Sequence, residues 1–400
     1  MLLDLDLDTL PLVPGFRFAA LAAGIKKNGK PDLSIVVADE AVPTAAVFTR
    51  NLVRAAPVEV AAARAKKGRA RALLVNAGNA NACTGAQGLR AAKATTAALA
   101  KLLGCGAEEV LPASTGVIGA HLPVDKITAA LPALASSLRE DRAADVARAI
   151  MTTDQWPKVA ASTVKLGAKR TATVLGLAKG AGMIHPDMAT TLGFVFTDAK
   201  ASPAVLKKLL KRAVDATFNS VSVDGDTSTN DTIVLMASGR AGPLTAKTER
   251  LFEAALVEVL GALGESIVRD GEGAEHVARI AVEGARSDED ARLAARTIAT
   301  SPLVKTAMHG KDPNWGRILA AAGRSGARFD PKLAAITIGE VPIVKKGVPL
   351  GAEAEKRAAE VMRTPRYDIR VSLGRGKGRA HYFTCDLGKS YVAINADYRS

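Results

Sequence analysis

The chain has 400 residues, of which 48% are hydrophobic, 24% are charged and only 4% are aromatic. This composition is typical of a globular protein with an aliphatic core, and it excludes a disordered or fibrous chain. The formal net charge is +14, but the basic residues are spread along the chain and few aromatic residues lie among them. We therefore expect a basic surface that attracts carboxylate substrates, and no nucleic-acid partner.

The three cysteines, Cys83, Cys105 and Cys385, form no CxxC pair and no Cys/His cluster. A structural zinc site is not expected, and a sparse, odd number of cysteines fits a reducing cytoplasm. The first eight residues are acidic and apolar and lack the basic start of a signal peptide. No apolar run of about 18 residues predicts a transmembrane helix. The sequence thus predicts a cytoplasmic protein with no metal ion and no membrane partner.

Hydrophobic periodicity and turn residues predict a mixture of helices and strands. In chain order they are strands at 33–38, 45–49 and 71–75, a helix at 86–103, a strand within 111–119, helical residues 123–150, a hairpin at 159–174, a strand at 192–196, helices at 203–217, 245–268, 288–300 and 302–308, a strand at 335–338, a helix at 352–362, and strands at 367–373 and 379–387. No phosphate-binding loop and no strand-to-helix G-x-G-x-x-G accompanies them. The expected fold class is α/β without a Rossmann-type nucleotide site.

Three loops carry polar residues that suit either structure or chemistry. Residues 76–85 combine three Asn with two Gly, which predicts a rigid loop or a contact to substrate. A turn through Thr115-Gly116 presents a hydroxyl and a backbone N–H to one point, as an oxyanion hole does, although such turns are common. The third loop, 221–232, contains three aspartates that either ligate a hard cation or form a hydrogen-bonded turn, and the turn is favoured. These aspartates are Asp224, Asp226 and Asp231.

The stretch from Lys179 to Phe196 is glycine-rich at first and then enters an apolar strand, with Thr190 and Thr191 between the two parts. A threonine hydroxyl becomes a useful nucleophile when it belongs to the first residue of a chain. The α-amino group of that residue, with a pKa of roughly 7.7–8.0, is then its base. This requires a cut before the threonine, and the small residue Ala189 leaves room for one. The local pattern by itself favours two ordinary hydroxyls at the mouth of a strand.

A family resemblance reverses that preference. Residues 179–192 resemble the signature of the ornithine acetyltransferase family, the glutamate N-acetyltransferases of the cyclic arginine pathway. Segments along nearly the whole chain also resemble motifs of this family, in the same order. They are residues 76–85, 114–119, 151–154, 223–232, 270–274, 312–317 and 394–400. The resemblance implies an α/β fold of the DmpA-like type, with layered helices and β-sheets.

The resemblance also implies self-cleavage between Ala189 and Thr190, giving an α chain of residues 1–189 and a β chain of residues 190–400. Thr190 would be the nucleophile, and the Thr115 hydroxyl and the Gly116 N–H would form the oxyanion hole. The residues that the resemblance assigns to substrate binding are Thr152, Lys179, Thr190, Glu272, Asn395 and Ser400.

In this family, the implied reaction moves an acetyl group from N-acetylornithine to glutamate through an acetyl-threonine ester. No cofactor is required, although some members also accept acetyl-CoA, and the implied assembly is an α2β2 heterotetramer. Two alternatives remain: a self-cleaving hydrolase or aminopeptidase of similar fold, and a basic binding protein without catalysis. One departure from the family pattern is Thr191, which stands where the family usually has Met. It leaves open which of the two adjacent threonines follows the cut.

Overall fold

The structure is a computed structural model that describes residues 6–185 and 191–396. The chain forms two compact units. The first comprises residues 1–219 and 226–267, and the second comprises residues 220–225 and 268–400. The two units therefore do not coincide with the two chains expected after self-cleavage, because the predicted cut falls within the first unit.

Strands and helices alternate along the chain, as an α/β fold requires. The strands are β1 (Phe16–Leu21), β2 (Leu33–Phe48), β3 (Arg69–Asn79), β4 (Val110–Val117), β5 (Lys158–Gly167), β6 (Arg170–Lys179), β7 (Leu192–Lys200), β8 (Val221–Ser222), β9 (Thr232–Pro243), β10 (Val277–Ala285), β11 (Ala335–Ile338), β12 (Val341–Lys345), β13 (Val348–Pro349), β14 (Arg366–Ser372) and β15 (Gly378–Cys385). The helices are α1 (Ala56–Ala65), α2 (Gly85–Leu103), α3 (Val124–Ser136), α4 (Ala143–Ala149), α5 (Pro203–Ala216), α6 (Ala246–Arg269), α7 (Asp288–Ala299), α8 (Pro302–His309), α9 (Trp315–Gly323), α10 (Ala352–Met362) and α11 (Lys389–Ala396).

The first unit contains a sheet in the order β4-β3-β2-β9-β7-β6-β5, with β1 paired to β2. Strand β2 is long enough to pair with β3 through its first part and with β9 through its last five residues. Strands β6 and β7 are antiparallel neighbours, and their register places Lys179 opposite Leu192. The two strands that flank the predicted cleavage position are therefore adjacent in one sheet.

The core of the first unit includes a small aromatic cluster in an otherwise aliphatic interior. Phe16 and Phe18 on β1 each lie 5.3 Å, centroid to centroid, from Phe196 on β7, and all three rings are fully buried. Contacts of this kind add to the hydrophobic stabilisation that burial already provides. They hold the middle of β7 against β1.

The second unit contains a sheet in the order β13-β12-β11-β14-β10-β15-β8. Strand β10 pairs in parallel with β14 and antiparallel with β15, and α7 packs against β10 and β15. Helix α7 begins where Ser287 accepts a hydrogen bond from the backbone N–H of Asp290 at 3.1 Å. Acidic residues fill its first turn, as the helix dipole favours.

The predicted α/β class without a Rossmann site is confirmed. Helix α10 has the predicted bounds, and α2 ends at Gly104, whose backbone is left-handed. Two predictions are wrong: residues 76–79 belong to β3, and Thr115-Gly116 lies within β4 rather than in a turn. Both errors have the same cause. Strands β3 and β4 pair in parallel through these polar residues, and this pairing outweighs the preference of such residues for turns.

Several elements were not predicted, among them α1, β9, β10, α9 and α11. Strand β10 alternates apolar and polar residues and is therefore visible in the sequence by its period. Helix α9 begins where Asn314 accepts from the backbone N–H of Arg317 at 3.1 Å, an ordinary N-cap signal. Helix α11 has little amphipathic pattern, so periodicity does not reveal it. No helix among residues 6–185 and 191–396 is long and apolar enough to cross a membrane.

Candidate active site

Lys179, the last residue of β6, directs its ammonium group at two of the predicted site hydroxyls. Lys179 Nζ donates to Thr152 Oγ1 at 2.7 Å and to Thr115 Oγ1 at 3.3 Å. The Lys179 side chain is only 10% exposed. The fold of the first unit thus brings together three residues that are distant in sequence and that the family resemblance had assigned to the site.

Gly116 follows Thr115 in β4 and occupies a position where only glycine fits. Its φ is +134°, and a Cβ there would lie 2.3 Å from the carbonyl carbon of Gly78 and 2.5 Å from the nitrogen of Asn79. Side chains other than hydrogen are excluded by both the backbone angle and this close approach. The backbone beside the Thr115 hydroxyl is therefore held in one place by β3.

Asp154 lies behind the two site residues Thr152 and Lys179. Its carboxylate accepts hydrogen bonds from the backbone N–H of Thr152 at 2.8 Å, from that of Gly180 at 2.6 Å and from Lys158 Nζ at 2.7 Å. Lys179 Nζ is 3.9 Å away, and the side chains of Asp154 and Lys158 are wholly buried. Asp154 therefore orients both Thr152 and Lys179, although the sequence assigned it no role.

Burial by itself raises the pKa of Asp154, but the charges of Lys179 and Lys158 and the hydrogen bonds that it accepts outweigh burial. The pKa of Asp154 is therefore held well below its usual range, and the carboxylate stays ionised. Two ammonium groups beside one carboxylate give this trio a net charge of +1. That charge suits a substrate with a carboxylate.

Lys26 is a further cation near these residues that sequence reasoning missed. Its Nζ donates to the carbonyl oxygens of Pro31 at 2.7 Å and Ala149 at 3.0 Å. Burial lowers the pKa of Lys26 to about 8, and the nearby charge of Lys179 adds to this effect, whereas Asp32 and Asp154 oppose it. The surrounding Lys and Asn residues predict only a turn, so nothing in the sequence marks Lys26.

The Asn-rich segment is a hydrogen-bonded scaffold, although its first four residues continue β3 and are not a loop. Ser114 Oγ donates to Asn76 Oδ1 at 2.6 Å, and Asn76 Nδ2 donates to the carbonyl of Asn79 at 2.8 Å. Asn230 Nδ2 donates to the carbonyls of Ala80 at 2.7 Å and Ser114 at 2.8 Å. These bonds fix the end of β4 on which Thr115 and Gly116 lie.

Asp231 contacts the residue that follows Thr190. Its wholly buried carboxyl group faces Ser228, Thr49 and the backbone of Thr191, and its Oδ2 has no hydrogen-bond partner among the described residues. Burial raises the pKa of Asp231 well above its usual range, although these polar neighbours and the charge of Lys179 oppose the shift. The Thr191 carbonyl also accepts from the N–H of Thr232 at 2.9 Å. Asp231 is thus part of a hydrogen-bonded turn, as favoured from the sequence, and it fixes the backbone at the start of β7.

Two further predicted residues meet in the second unit. Asn395 Nδ2, on α11, donates to Glu272 Oε2 at 2.9 Å. Gly273 allows this approach: its φ is +70°, and a Cβ there would lie 2.5 Å from the backbone nitrogen of Tyr391. Glu272 is mostly buried. The remaining predicted residues, Ala189, Thr190 and Ser400, lie outside the described residues.

The fold and these clusters define an α/β protein, without a Rossmann site, whose polar groups suit a small charged substrate. Residues 17–400 match the model of the ArgJ family. The arginine biosynthesis bifunctional protein ArgJ of Methylococcus capsulatus is 50% identical to this chain over 405 residues, covering 99% of this chain and 98% of that protein. The chain therefore belongs to the ArgJ family, which confirms the family resemblance predicted from the sequence.

Two solved structures are also similar to this chain. The arginine biosynthesis bifunctional protein ArgJ of Bacillus halodurans is 40% identical with a TM-score of 0.49, covering 51% of this chain and 97% of that one. Ornithine acetyltransferase of Mycobacterium tuberculosis, solved in complex with ornithine, is 39% identical with a TM-score of 0.41, covering 46% of this chain and 98% of that one.

Proposed function

We propose that this protein is a glutamate N-acetyltransferase of arginine biosynthesis. It takes the acetyl group of N-acetylornithine and passes it to glutamate, giving ornithine and N-acetylglutamate. The observation that carries the proposal is the hydrogen bond from Lys179 Nζ to Thr115 Oγ1, within a trio of charged groups with a net charge of +1. Membership of the ArgJ family supports the same reaction.

The reaction runs in two acyl-transfer steps. Thr190 Oγ attacks the acetyl carbonyl while the α-amine of Thr190 takes the hydroxyl proton. The tetrahedral oxyanion accepts hydrogen bonds from the Thr115 hydroxyl and the Gly116 N–H. The C–N bond to ornithine then breaks, and its nitrogen leaves with that proton. The α-amine of glutamate attacks the acetyl-Thr190 ester in the second step and restores the Thr190 hydroxyl.

The contact between Lys179 and Thr115 explains how a threonine hydroxyl becomes a directed donor. A hydroxyl has one proton to donate and two lone pairs that accept. Because Lys179 occupies a lone pair of Thr115 Oγ1, the hydroxyl proton turns away from Lys179. Its orientation is then set before the oxyanion forms, which is the condition for electrostatic stabilisation of a transition state.

The substrates' charges are matched by residues of opposite charge. Lys179 pairs with a substrate carboxylate, next to Thr152, and Glu272 pairs with an ammonium group, next to Asn395. The terminal residue Ser400 adds a further contact to substrate. Acetyl-CoA is an alternative acetyl donor, and no other cofactor takes part because the acetyl group arrives on the substrate.

The active form arises by self-cleavage between Ala189 and Thr190, and the α and β chains assemble as an α2β2 heterotetramer in the cytoplasm. No nucleic acid or membrane takes part.

An assay of the purified protein with N-acetylornithine and glutamate tests the reaction. Parallel lines in double-reciprocal plots are expected, because the enzyme alternates between free and acetylated forms. Release of acetate without formation of N-acetylglutamate would instead identify a hydrolase.

Thr115→Val tests the proposed oxyanion hole. Valine keeps the shape of the side chain and removes the hydroxyl, so we expect kcat to fall about 10²- to 10³-fold, as when one such donor is removed from other enzymes. The rate is measured on the fully cleaved fraction. Thr128→Val, on the surface of α3, is the matched control and keeps the wild-type rate. An unchanged kcat in Thr115→Val removes Thr115 from the mechanism.

Glu272→Gln tests the proposed ammonium contact. N-acetylornithine has one positive charge, on its side-chain amine, whereas glutamate must present its only amine uncharged as the nucleophile. We therefore expect KM for N-acetylornithine to rise about 10- to 100-fold, as the loss of a hydrogen bond to a charged group predicts, with little change for glutamate. The exposed Glu283 provides the control Glu283→Gln. Equal changes in the two KM values contradict the assignment.

A further inference from the structure

A second group of chemically active side chains lies in the second unit, at the end of the β10–β15 ladder. Glu275 and His276 directly precede β10, and Asp386 directly follows β15. The antiparallel register pairs Val277 with Cys385, and the N–H of Asp386 donates to the carbonyl of His276 at 3.0 Å. Residues more than a hundred positions apart are thus held side by side by the sheet itself.

Asp386 is fixed on both sides of its carboxylate. Oδ1 accepts from the backbone N–H groups of Glu275 at 2.8 Å and His276 at 2.9 Å. Oδ2 lies 2.8 Å from Nδ1 of His309, the last residue of α8. The carboxylate is wholly buried, and a Cβ at Gly388 would lie only 2.5 Å from the His309 ring, which this packing holds in place. The free lone pairs of Oδ2 therefore point in a defined direction.

His276 is the unusual member of the group. Its side chain is 7% exposed, and Nδ1 has no hydrogen-bond partner among the described residues. Asp386 Oδ2 lies 3.7 Å from this atom, which is too long for a hydrogen bond. Buried polar atoms are nearly always partnered, and an ion between the two atoms is one physical reason for an exception.

The separation of these two atoms fits a shared metal ion. A tetrahedral ion with both bonds near about 2.1 Å holds its ligand atoms about 3.4 Å apart, and the observed distance is 3.7 Å. The Glu275 carboxylate completes the set, because one ligand atom from each of Glu275, His276 and Asp386 lies within 4.8 Å of the others. Glu275 is exposed and, among the described residues, forms an ion pair with the partly exposed Lys311 at 3.5 Å, a surface contact that a metal can replace at small cost.

We propose that Glu275, His276 and Asp386 bind a first-row divalent cation of the Zn²⁺ type, with His309 supporting Asp386 through its hydrogen bond. One imidazole nitrogen and two carboxylates are borderline ligands that suit Zn²⁺ better than Mg²⁺ or Ca²⁺, which prefer oxygen alone. Three protein ligands leave a fourth position for water. The site is independent of the proposed acetyl transfer, so either can fail without the other.

Co²⁺ reports on the site because its visible absorption depends on ligand geometry. Chelator-treated protein is titrated with Co²⁺, and the bound ion is then displaced with Zn²⁺. We expect one Co²⁺ per chain in the wild-type protein, and affinity weaker by about 100-fold or more in His276→Gln, since even outer residues of metal sites contribute about 10- to 100-fold. His309→Gln, which removes only the support for Asp386, is expected to lose about 10-fold.

His121→Gln is the matched control, since His121 is exposed and lies in the first unit. It keeps the wild-type affinity. Circular dichroism without metal verifies that each variant is folded. X-ray absorption of the zinc-loaded wild-type protein gives a second test that needs no variant, with one imidazole and oxygen ligands expected. A sulfur ligand from the nearby Cys385, equal affinity in His276→Gln, or no stoichiometric binding by the wild type overturns the proposal.

Discussion

Thr190→Ala is expected to remain a single chain of 400 residues, whereas the wild-type protein separates into residues 1–189 and 190–400 under denaturing conditions. In the proposed mechanism the hydroxyl of residue 190 performs the cut by attacking the carbonyl of Ala189, so its removal is expected to abolish cleavage rather than slow it. The same variant should have no acetyl-transfer activity, because it lacks both the nucleophile and the new α-amine that serves as its base. Intact-mass measurement gives the result directly.

The two pieces are expected to stay together until a denaturant separates them. Within the sheet of the first unit, β7 and β9 come from residues 190–400, and their neighbours β6 and β2 come from residues 1–189. Separation would break both the β6–β7 and the β2–β9 ladders and expose Phe196 with its aromatic partners. Size exclusion under native conditions should therefore show one species that contains both masses.

Thr191→Val is the matched control for the nucleophile. Thr191 is buried, its Oγ1 contacts the carbonyl of Leu192 at 3.4 Å, and its carbonyl accepts from the backbone N–H of Thr232 at 2.9 Å. Valine preserves this packing, so we expect cleavage at the same bond. A wild-type chain that stays whole, or a Thr190→Ala chain that is still cut before residue 190, contradicts the mechanism. A new mass that begins at residue 191 would instead assign the role to Thr191.

Much of the fold was predictable because its signals are local. Helix α2 has a glycine stop and α10 has a clear helical period, and both were found with almost their full bounds. The wrong predictions concern polar residues at the ends of strands. Asn76 and Thr115 look like turn residues, but they lie in the β3–β4 ladder, where Asn76 is opposite Ser114 and Thr115 is opposite Ala77. The two strands are distant in sequence, so no local pattern reveals their pairing.

The candidate site also contains some residues that the sequence reveals and others whose role depends on distant parts of the chain. Thr115, Thr152 and Lys179 are identified by resemblance, and the fold brings both hydroxyls within hydrogen-bond distance of Lys179 Nζ. Asp154 stood in a recognised segment but received no role, because its importance comes from a buried lysine four residues later. A lysine at position 158 looks like an ordinary surface residue in the sequence. Only the three-dimensional structure shows that its ammonium group is enclosed.

Asp154→Asn is expected to lower the free energy of unfolding by about 3–5 kcal/mol, as removal of one partner from a buried ion pair does. The Lys158 ammonium group is wholly buried and donates to Asp154 Oδ1 at 2.7 Å, so the substitution leaves its charge uncompensated. Urea unfolding in the uncleaved Thr190→Ala background gives the value for one chain. Asp145→Asn, which breaks exposed pairs with Arg142 and Arg148, is the control and should cost less than about 1 kcal/mol.

The pH dependence of the free energy of unfolding distinguishes the effect of the Asp154 charge from the effect of its shape. Its folded-state pKa lies below the unfolded value of about 3.9, so its stabilising contribution is present above about pH 4 and is lost as the pH falls towards the folded-state pKa. The difference between Asp154→Asn and its parent should therefore be constant from about pH 5 to 8 and shrink below about pH 4. Adding Lys158→Met should recover part of the loss, since it removes the buried charge. A difference that persists unchanged in acid, or no recovery in the double variant, would show that Asp154 acts through its backbone hydrogen bonds alone.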